Sequence, residues 1–164
     1  MSNPVSTSTN KRIAAAAALA SAIAIPSEGL KLLPYYDPGG ILTVCRGHTG
    51  PDVQPNQKLD LATCDQLLDA DMREALQIVE RCAPGLPVRV LAAFGDAVYN
   101  IGPTVACDVT KSTAARMLKA GQLEQACRQL PRWNKARVFG VLTELLGLTR
   151  RRALEMAVCL GDAL

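Results

Sequence analysis

Residues 13–25 read IAAAAALASAIAI, an uncharged run dominated by alanine, placed directly after Lys11-Arg12 and directly before Pro26. Nothing else in the chain limits its fold as strongly. The run falls short of the roughly 20 apolar residues that a spanning helix needs, so it is either a core helix or the apolar part of an export signal. Positive charge ahead of an apolar run, with the small-residue triplets Ala18-Leu19-Ala20 and Ala22-Ile23-Ala24 within it, has the layout of a secretory signal. Two outcomes stay open: cleavage after one of those triplets, or retention as an anchor. Pro26 is expected to end the run. The expected division is therefore an export or anchor segment over residues 1–26 and one globular domain over residues 27–164.

The 164 residues, 49% of them hydrophobic, suffice for one domain with its own core and exclude a disordered chain. Eighteen Lys and Arg against fifteen Asp and Glu leave a net charge of +3, and aromatics make up 4%. That is too little charge and too little stacking surface for a nucleic-acid binder. Six cysteines, an even number, suit an oxidising compartment, and their order admits many pairings.

Past Pro26 the chain turns to Tyr, Pro, Gly and Thr over residues 34–50, and Asp37-Pro38-Gly39-Gly40 is a strong turn signal for a small hairpin. From Leu61 the pattern is helical: Asp60 can cap, and Leu61, Leu67, Leu68, Met72, Leu76 and Val79 fall near one face as far as Arg81. Pro84 and Pro87 close that helix. Further helices are predicted over residues 88–99, 113–119, 122–130 and 149–160. Residues 132–148 give no clear pattern, because Pro131 and Gly140 interrupt any single helix. The fold class is α+β, mostly helical, with a small sheet near the start.

The chemistry concentrates between Glu28 and His48, in EGLKLLPYYDPGGILTVCRGH. A carboxylate at a helix end and another at a turn can face each other across a cleft, which glycoside hydrolysis needs: one protonates the leaving oxygen and the other activates water. Taken alone, Glu28 is equally a helix-terminal charge and Asp37 an ordinary turn residue. His48, the only histidine, stands three residues after Cys45, which is half of a C-x2-H zinc pattern without a second half. No metal and no cofactor is expected. Asn100, in YNIG, is either a cleft amide or part of a helix stop ahead of Gly102-Pro103. Arg150, Arg151 and Arg152 are expected at a helix start on the surface, with one internal salt bridge.

The frame Glu-Gly-Leu…Tyr-x-Asp-x-x-Gly-x-x-Thr-x-x-x-Gly-His-Thr, anchored on Glu28, Asp37, Thr43 and His48, resembles the phage-type lysozymes, glycoside hydrolase family 24. LLDADM at residues 67–72, YNIG at 99–102, STAARML at 112–118, Arg132-Trp133 and GLTRRRALE at 147–155 extend the resemblance over roughly residues 27–160. It is strongest to signal-anchor-release endolysins of phages that infect Gram-negative bacteria, in which Thr-Val-Cys-x-Gly-His-Thr-Gly, here residues 43–50, follows a weakly apolar segment. The resemblance implies a two-lobed fold: a small β-hairpin lobe, a long connecting helix and a helical C-terminal lobe, with the active cleft between. It implies a monomeric endolysin that cuts the β-1,4 bond between N-acetylmuramic acid and N-acetylglucosamine in peptidoglycan and so lyses the host. Glu28 would be the general acid, Asp37 would activate water and Thr43 would position it, with carboxyls ~6.5 to 9.5 Å apart in an inverting scheme. Asn100 would bind substrate, and His48 would pair with Asp71 in a structural role. The disulfides implied are Cys45 with Cys64, Cys82 with Cys107 and Cys127 with Cys159. Residues 13–25 would pass through the host secretion machinery, tether the enzyme to the inner membrane and later release it to the periplasm.

Overall fold

The computed structural model describes residues 4–37 and 39–162. Pro38 of the expected turn and the terminal residues of both expected divisions lie outside them. Helix α1 runs over Pro4–Ser27, and a three-stranded antiparallel sheet follows, β1 Lys31–Tyr36, β2 Leu42–Cys45 and β3 His48–Thr49, in the order β1-β2-β3. Helices α2 Leu61–Cys82, α3 Val88–Ile101, α4 Thr104–Cys107, α5 Thr113–Lys119 and α6 Leu123–Cys127 come next. A 3-10 turn Leu130–Trp133, a hairpin of β4 Lys135–Val138 and β5 Val141–Glu144, and helix α7 Leu146–Leu160 complete the chain.

The core forms around α3, against which α1, α2 and α7 all pack. Residues 90 to 98 of α3 are buried without a break, the pattern of a helix enclosed on every side. Gly95 is the point of closest approach: a Cβ there would stand 2.3 Å from Leu76 Cδ2. A larger residue would push α2 and α3 apart, which explains why a poor helix former sits mid-helix. Helix α2 is capped as its sequence predicts, with the Asp60 carboxylate accepting from the Thr63 N–H at 2.7 Å, and it buries Cys64, Leu68, Met72, Ala75, Leu76 and Val79. Leu61, expected on that face, is 50% exposed, because it lies in the first turn beyond the reach of α3.

Helix α1 differs most from the sequence expectation. It begins at Pro4, well before the apolar run, and continues through Pro26 to Ser27. Proline is tolerated because it falls in the last turn. There the Ser27 hydroxyl donates to Ile23 O at 3.0 Å and the Glu28 N–H donates to Ala24 O at 2.9 Å, so helical carbonyls stay paired past the proline. Ile13, Ala16, Ala17, Ala20, Ile23 and Ala24 are buried at the spacing of one helical face, while Ala14, Ala15, Ala18 and Ala22 on the other face are exposed. Small side chains let α1 lie close against its neighbours. Arg12 clasps the far end, ion-paired with Glu80 and donating to Leu86 O at 3.4 Å; Glu80 also accepts from the Gly85 N–H at 3.2 Å.

Three disulfides join Cys45 to Cys64, Cys82 to Cys107 and Cys127 to Cys159. The helix predicted over 122–130 is shorter, Leu123–Cys127, and gives way to a 3-10 turn whose Pro131 has no N–H for the longer repeat. Helix α7 starts one turn earlier than predicted, at Leu146, and the unpatterned stretch before it is the β4–β5 hairpin.

Candidate active site

Glu28, Tyr35, Asp37, Thr43, Gly47, Thr49, Tyr99 and Asn100 line one cleft of about 220 Å3. A second hollow of about 250 Å3 shares Gly47, Thr49 and Tyr99 and extends along α2 past Asp71, Glu74 and Ile78, so the two make one groove across the molecule. The sheet forms one wall. The ends of α1 and α3 form the other, with Tyr99 tying the two together by donating its phenolic O–H to the Arg46 carbonyl at 2.6 Å. Burial and then the neighbouring Glu28 charge push the Tyr99 phenol well above its usual range, so it stays a neutral donor.

Glu28 owes its place to α1, since its own N–H completes the last helical turn. Its Oε1 accepts from Arg151 Nη1, while Oε2 faces the space beside Gly47, where a Cβ would come within 3.8 Å of it. Gly47 has φ 95°, a left-handed conformation that glycine adopts freely. Asp37 sits where β1 turns toward β2. The Ile41 N–H donates to its Oδ1 at 2.9 Å, and its own N–H donates to Ile41 O at 3.0 Å. The buried Thr43 hydroxyl donates to that same carbonyl at 2.9 Å. The Ile41 peptide therefore anchors both Asp37 and Thr43. With its proton directed at Ile41, the Thr43 oxygen is left as an acceptor for a water's O–H.

Behind Glu28 lies a buried network larger than the one internal salt bridge expected of Arg150, Arg151 and Arg152. Arg151 grips Asp96 with two parallel hydrogen bonds, Nη2 to Oδ1 at 2.8 Å and Nε to Oδ2 at 2.9 Å. Arg152 donates to Glu155 at 2.5 Å and to Asn100 Oδ1 at 2.9 Å. Three carboxyls thus face two guanidinium groups, linking Glu28 at the end of α1 to Asn100 near the end of α3. Burial and hydrogen bonding toward Asp96 raise the Glu155 carboxyl well above the usual carboxylate range. Burial alone would lower the Arg151 guanidinium, but the bonds to Asp96 outweigh it, so Arg151 stays charged. The expected surface position for these arginines is corrected for two of them: Arg151 and Arg152 are 3% and 0% exposed, and only Arg150 faces solvent. The signal for this network was Asp96 itself, a charge inside the apolar stretch LAAFGDAV, which demands a buried cation from elsewhere in the chain.

Asn100 lies inside α3, and Gly102 at φ 85° makes the helix stop. The Asn100 side-chain oxygen already accepts from Arg152, which leaves its second lone pair and the amide N–H groups for a ligand. His48 lines a separate hollow with Asp52 and lies between two carboxylates: Nδ1 is 2.7 Å from Asp71 Oδ2 and Nε2 is 3.1 Å from Asp52 Oδ2. Asp52 was not foreseen. Cys45, the other half of the zinc pattern, is bonded to Cys64 and is no thiolate ligand. Burial pulls the His48 imidazole down, but hydrogen bonds to Asp71 and Asp52 more than reverse this and hold it above its ordinary value. Burial leaves Asp71 above its own range despite the imidazolium. A histidine with a raised folded value stabilises fully below the unfolded value of 6.5, and that contribution fades as pH rises through the folded value. A His48→Asn variant is therefore expected to melt below the wild type at pH 5.5 to 6, with the gap narrowing by pH 8.5. Thermal melts across that series check it, and coincident melting at every pH overturns it.

A family model described as Phage lysozyme matches residues 26–155. A SAR-endolysin of Bacteriophage PS119 is 37% identical over 134 residues, covering 81% of this chain and 76% of the relative. A SAR-endolysin of Escherichia phage Mu is 36% identical over 135 residues, covering 80% and 72%. Among solved structures, the endolysin from Escherichia coli O157:H7 phage FAHEc1 superposes with a TM-score of 0.73 at 28% identity, covering 87% of this chain and 90% of that one.

Proposed function

The chain belongs to the phage lysozyme family, and from the cleft that its residues build we propose that it hydrolyses the β-1,4 bond between N-acetylmuramic acid and N-acetylglucosamine in bacterial peptidoglycan. One observation carries this: Glu28 and Asp37, held on separate elements, line the same cleft with the Thr43 hydroxyl. Glu28 is the general acid. Arg151 fixes its Oε1, which leaves Oε2 to present the proton to the glycosidic oxygen as that bond breaks. Asp37 is the base that draws a proton from water, and Thr43 accepts the water's other hydrogen and holds it in line. The water's oxygen bonds to the anomeric carbon, and the leaving sugar departs as an alcohol with the proton from Glu28. The free amide N–H groups of Asn100 suit the carbonyl oxygen of an acetamido group.

Product analysis on purified sacculi tests this reading. Each cut is expected to yield one new reducing end, formed with inversion at the anomeric carbon. An anhydro sugar in place of the reducing end would overturn hydrolysis, and retained configuration would make Asp37 a nucleophile instead.

We further propose that residues 13–25 carry the monomeric enzyme through the host secretion machinery, hold it at the inner membrane and then release it to the periplasm. Among the described residues no helix is long and apolar enough to cross a membrane. The run of small alanines in residues 13–25, which gains little on transfer to lipid, supports a segment that leaves lipid readily. The alanine face then becomes the buried face of α1, and Glu28, hydrogen-bonded to its last turn, enters the cleft with it.

A further inference from the structure

The β4–β5 hairpin has no buried face. Residues 135–138 and 141–144 are exposed apart from the half-buried Ala136, so the ribbon stands off the body and contributes nothing to the core. Its register pairs Val138 with Val141 and Arg137 with Leu142 around the two-residue turn Phe139-Gly140. Both turn residues have positive φ, 47° and 82°, as a type I′ turn requires. Asn-Gly is the favoured pair there; a bulky aromatic at the first position is strained by its own Cβ. Phe139 is nonetheless fully exposed, 103%, with Val141 at 66% and Leu142 at 60% beside it. A strained, fully exposed aromatic that packs against nothing is not there for the fold.

The charges around this tip identify what it meets. Arg132, Lys135 and Arg137 precede it, against the single acidic Glu144 at its base, where that carboxylate accepts from Thr149. Along a strand of about 3.3 Å per residue, the Arg137 backbone lies about 7 Å and the Lys135 backbone about 13 Å from the tip. The Arg137 guanidinium reaches back to donate to Gly140 O at 2.9 Å, which satisfies the turn's carbonyl and leaves other N–H groups free. An apolar end flanked by the Arg137 guanidinium at the turn carbonyl and by Lys135 about two pleats above it suits an anionic bilayer surface, in which an interfacial group sits about 5 to 10 Å deep and cations meet the phosphates. Apolar groups on both ribbon faces suit a medium that surrounds the tip, not a flat partner that covers one side.

We propose that the β4–β5 hairpin is a wedge that inserts Phe139, Val138, Val141 and Leu142 into the surface of an anionic lipid bilayer, with Arg137 and Lys135 on its phosphates. The wedge is separate from the cleft and does not depend on the glycosidase reading. Phe139→Asn tests it without endangering the fold, since Asn-Gly relieves the turn. Full-length wild type and variant are sedimented with vesicles of phosphatidylethanolamine and phosphatidylglycerol, and with vesicles of phosphatidylcholine alone. The wild type is expected to bind the anionic vesicles at least tenfold more tightly than either the variant on the same vesicles or itself on phosphatidylcholine. The variant should melt no lower than the wild type and digest lipid-free sacculi at the same rate. Because α1 is identical in both proteins, any binding through α1 cancels in the comparison. Equal binding by the two proteins, or equal binding to both lipids, overturns the proposal. A wild-type dimer in sedimentation equilibrium that Phe139→Asn dissolves assigns the tip to a second copy and overturns it; slower digestion of lipid-free sacculi assigns it to glycan and does the same.

Discussion

Glu28→Gln is expected to lower the rate of sacculus digestion by about 100- to 10,000-fold, the usual contribution of a positioned general acid, while its melting temperature stays close to that of the wild type. The amide oxygen still accepts from Arg151 Nη1, and Arg151 keeps both of its bonds to Asp96, so no buried cation loses its last partner. What disappears is the proton that the leaving oxygen needs. Reducing-end release from purified sacculi, set beside thermal melts of the same samples, reads the two effects separately. Undiminished release places the acid elsewhere; a large fall in melting temperature makes Glu28 a structural residue.

The second large effect concerns α1. The exposed alanines Ala14, Ala15, Ala18 and Ala22 can take leucine without touching the packed face, whereas Ala16, Ala17, Ala20 and Ala24 have no room for it. Each leucine is favoured in the bilayer centre by about 0.5 kcal/mol, so four raise the cost of leaving lipid by about 2 kcal/mol, roughly 30-fold in the released fraction. Cells expressing the fourfold variant are expected to lyse late or not at all, with the enzyme in the membrane fraction. The same variant extracted in detergent and refolded should digest sacculi normally. Wild-type lysis timing would show that escape of residues 13–25 from lipid is not the limiting event.

The residues legible in the sequence share a reason for being so. Glu28, Asp37, Thr43 and His48 lie within 21 residues, on local elements whose turn and strand signals the sequence states directly. Asp96 and Arg151 are 55 residues apart and meet only because α7 crosses α3, a contact that no local pattern encodes. Asp52 lies in an irregular loop where nothing marks its direction. The β4–β5 hairpin was illegible for a different reason: with no buried face there is no alternation to detect, since period-two patterning arises from one face packing on a core. Helix α1 was visible as an apolar run, but its polar first turns were not, because the run marks what is buried and not how far the helix extends.

The covalent map leaves one element out. All three disulfides lie between Cys45 and Cys159, tying the sheet to α2, α2 to the end of α4, and α6 to α7. Helix α1 has no such link. It is held by its buried alanine and isoleucine face and by the Arg12–Glu80 clasp, yet it carries the backbone on which Glu28 hangs. On the proposed role of Glu28, activity requires α1 to be docked, and no disulfide holds it there.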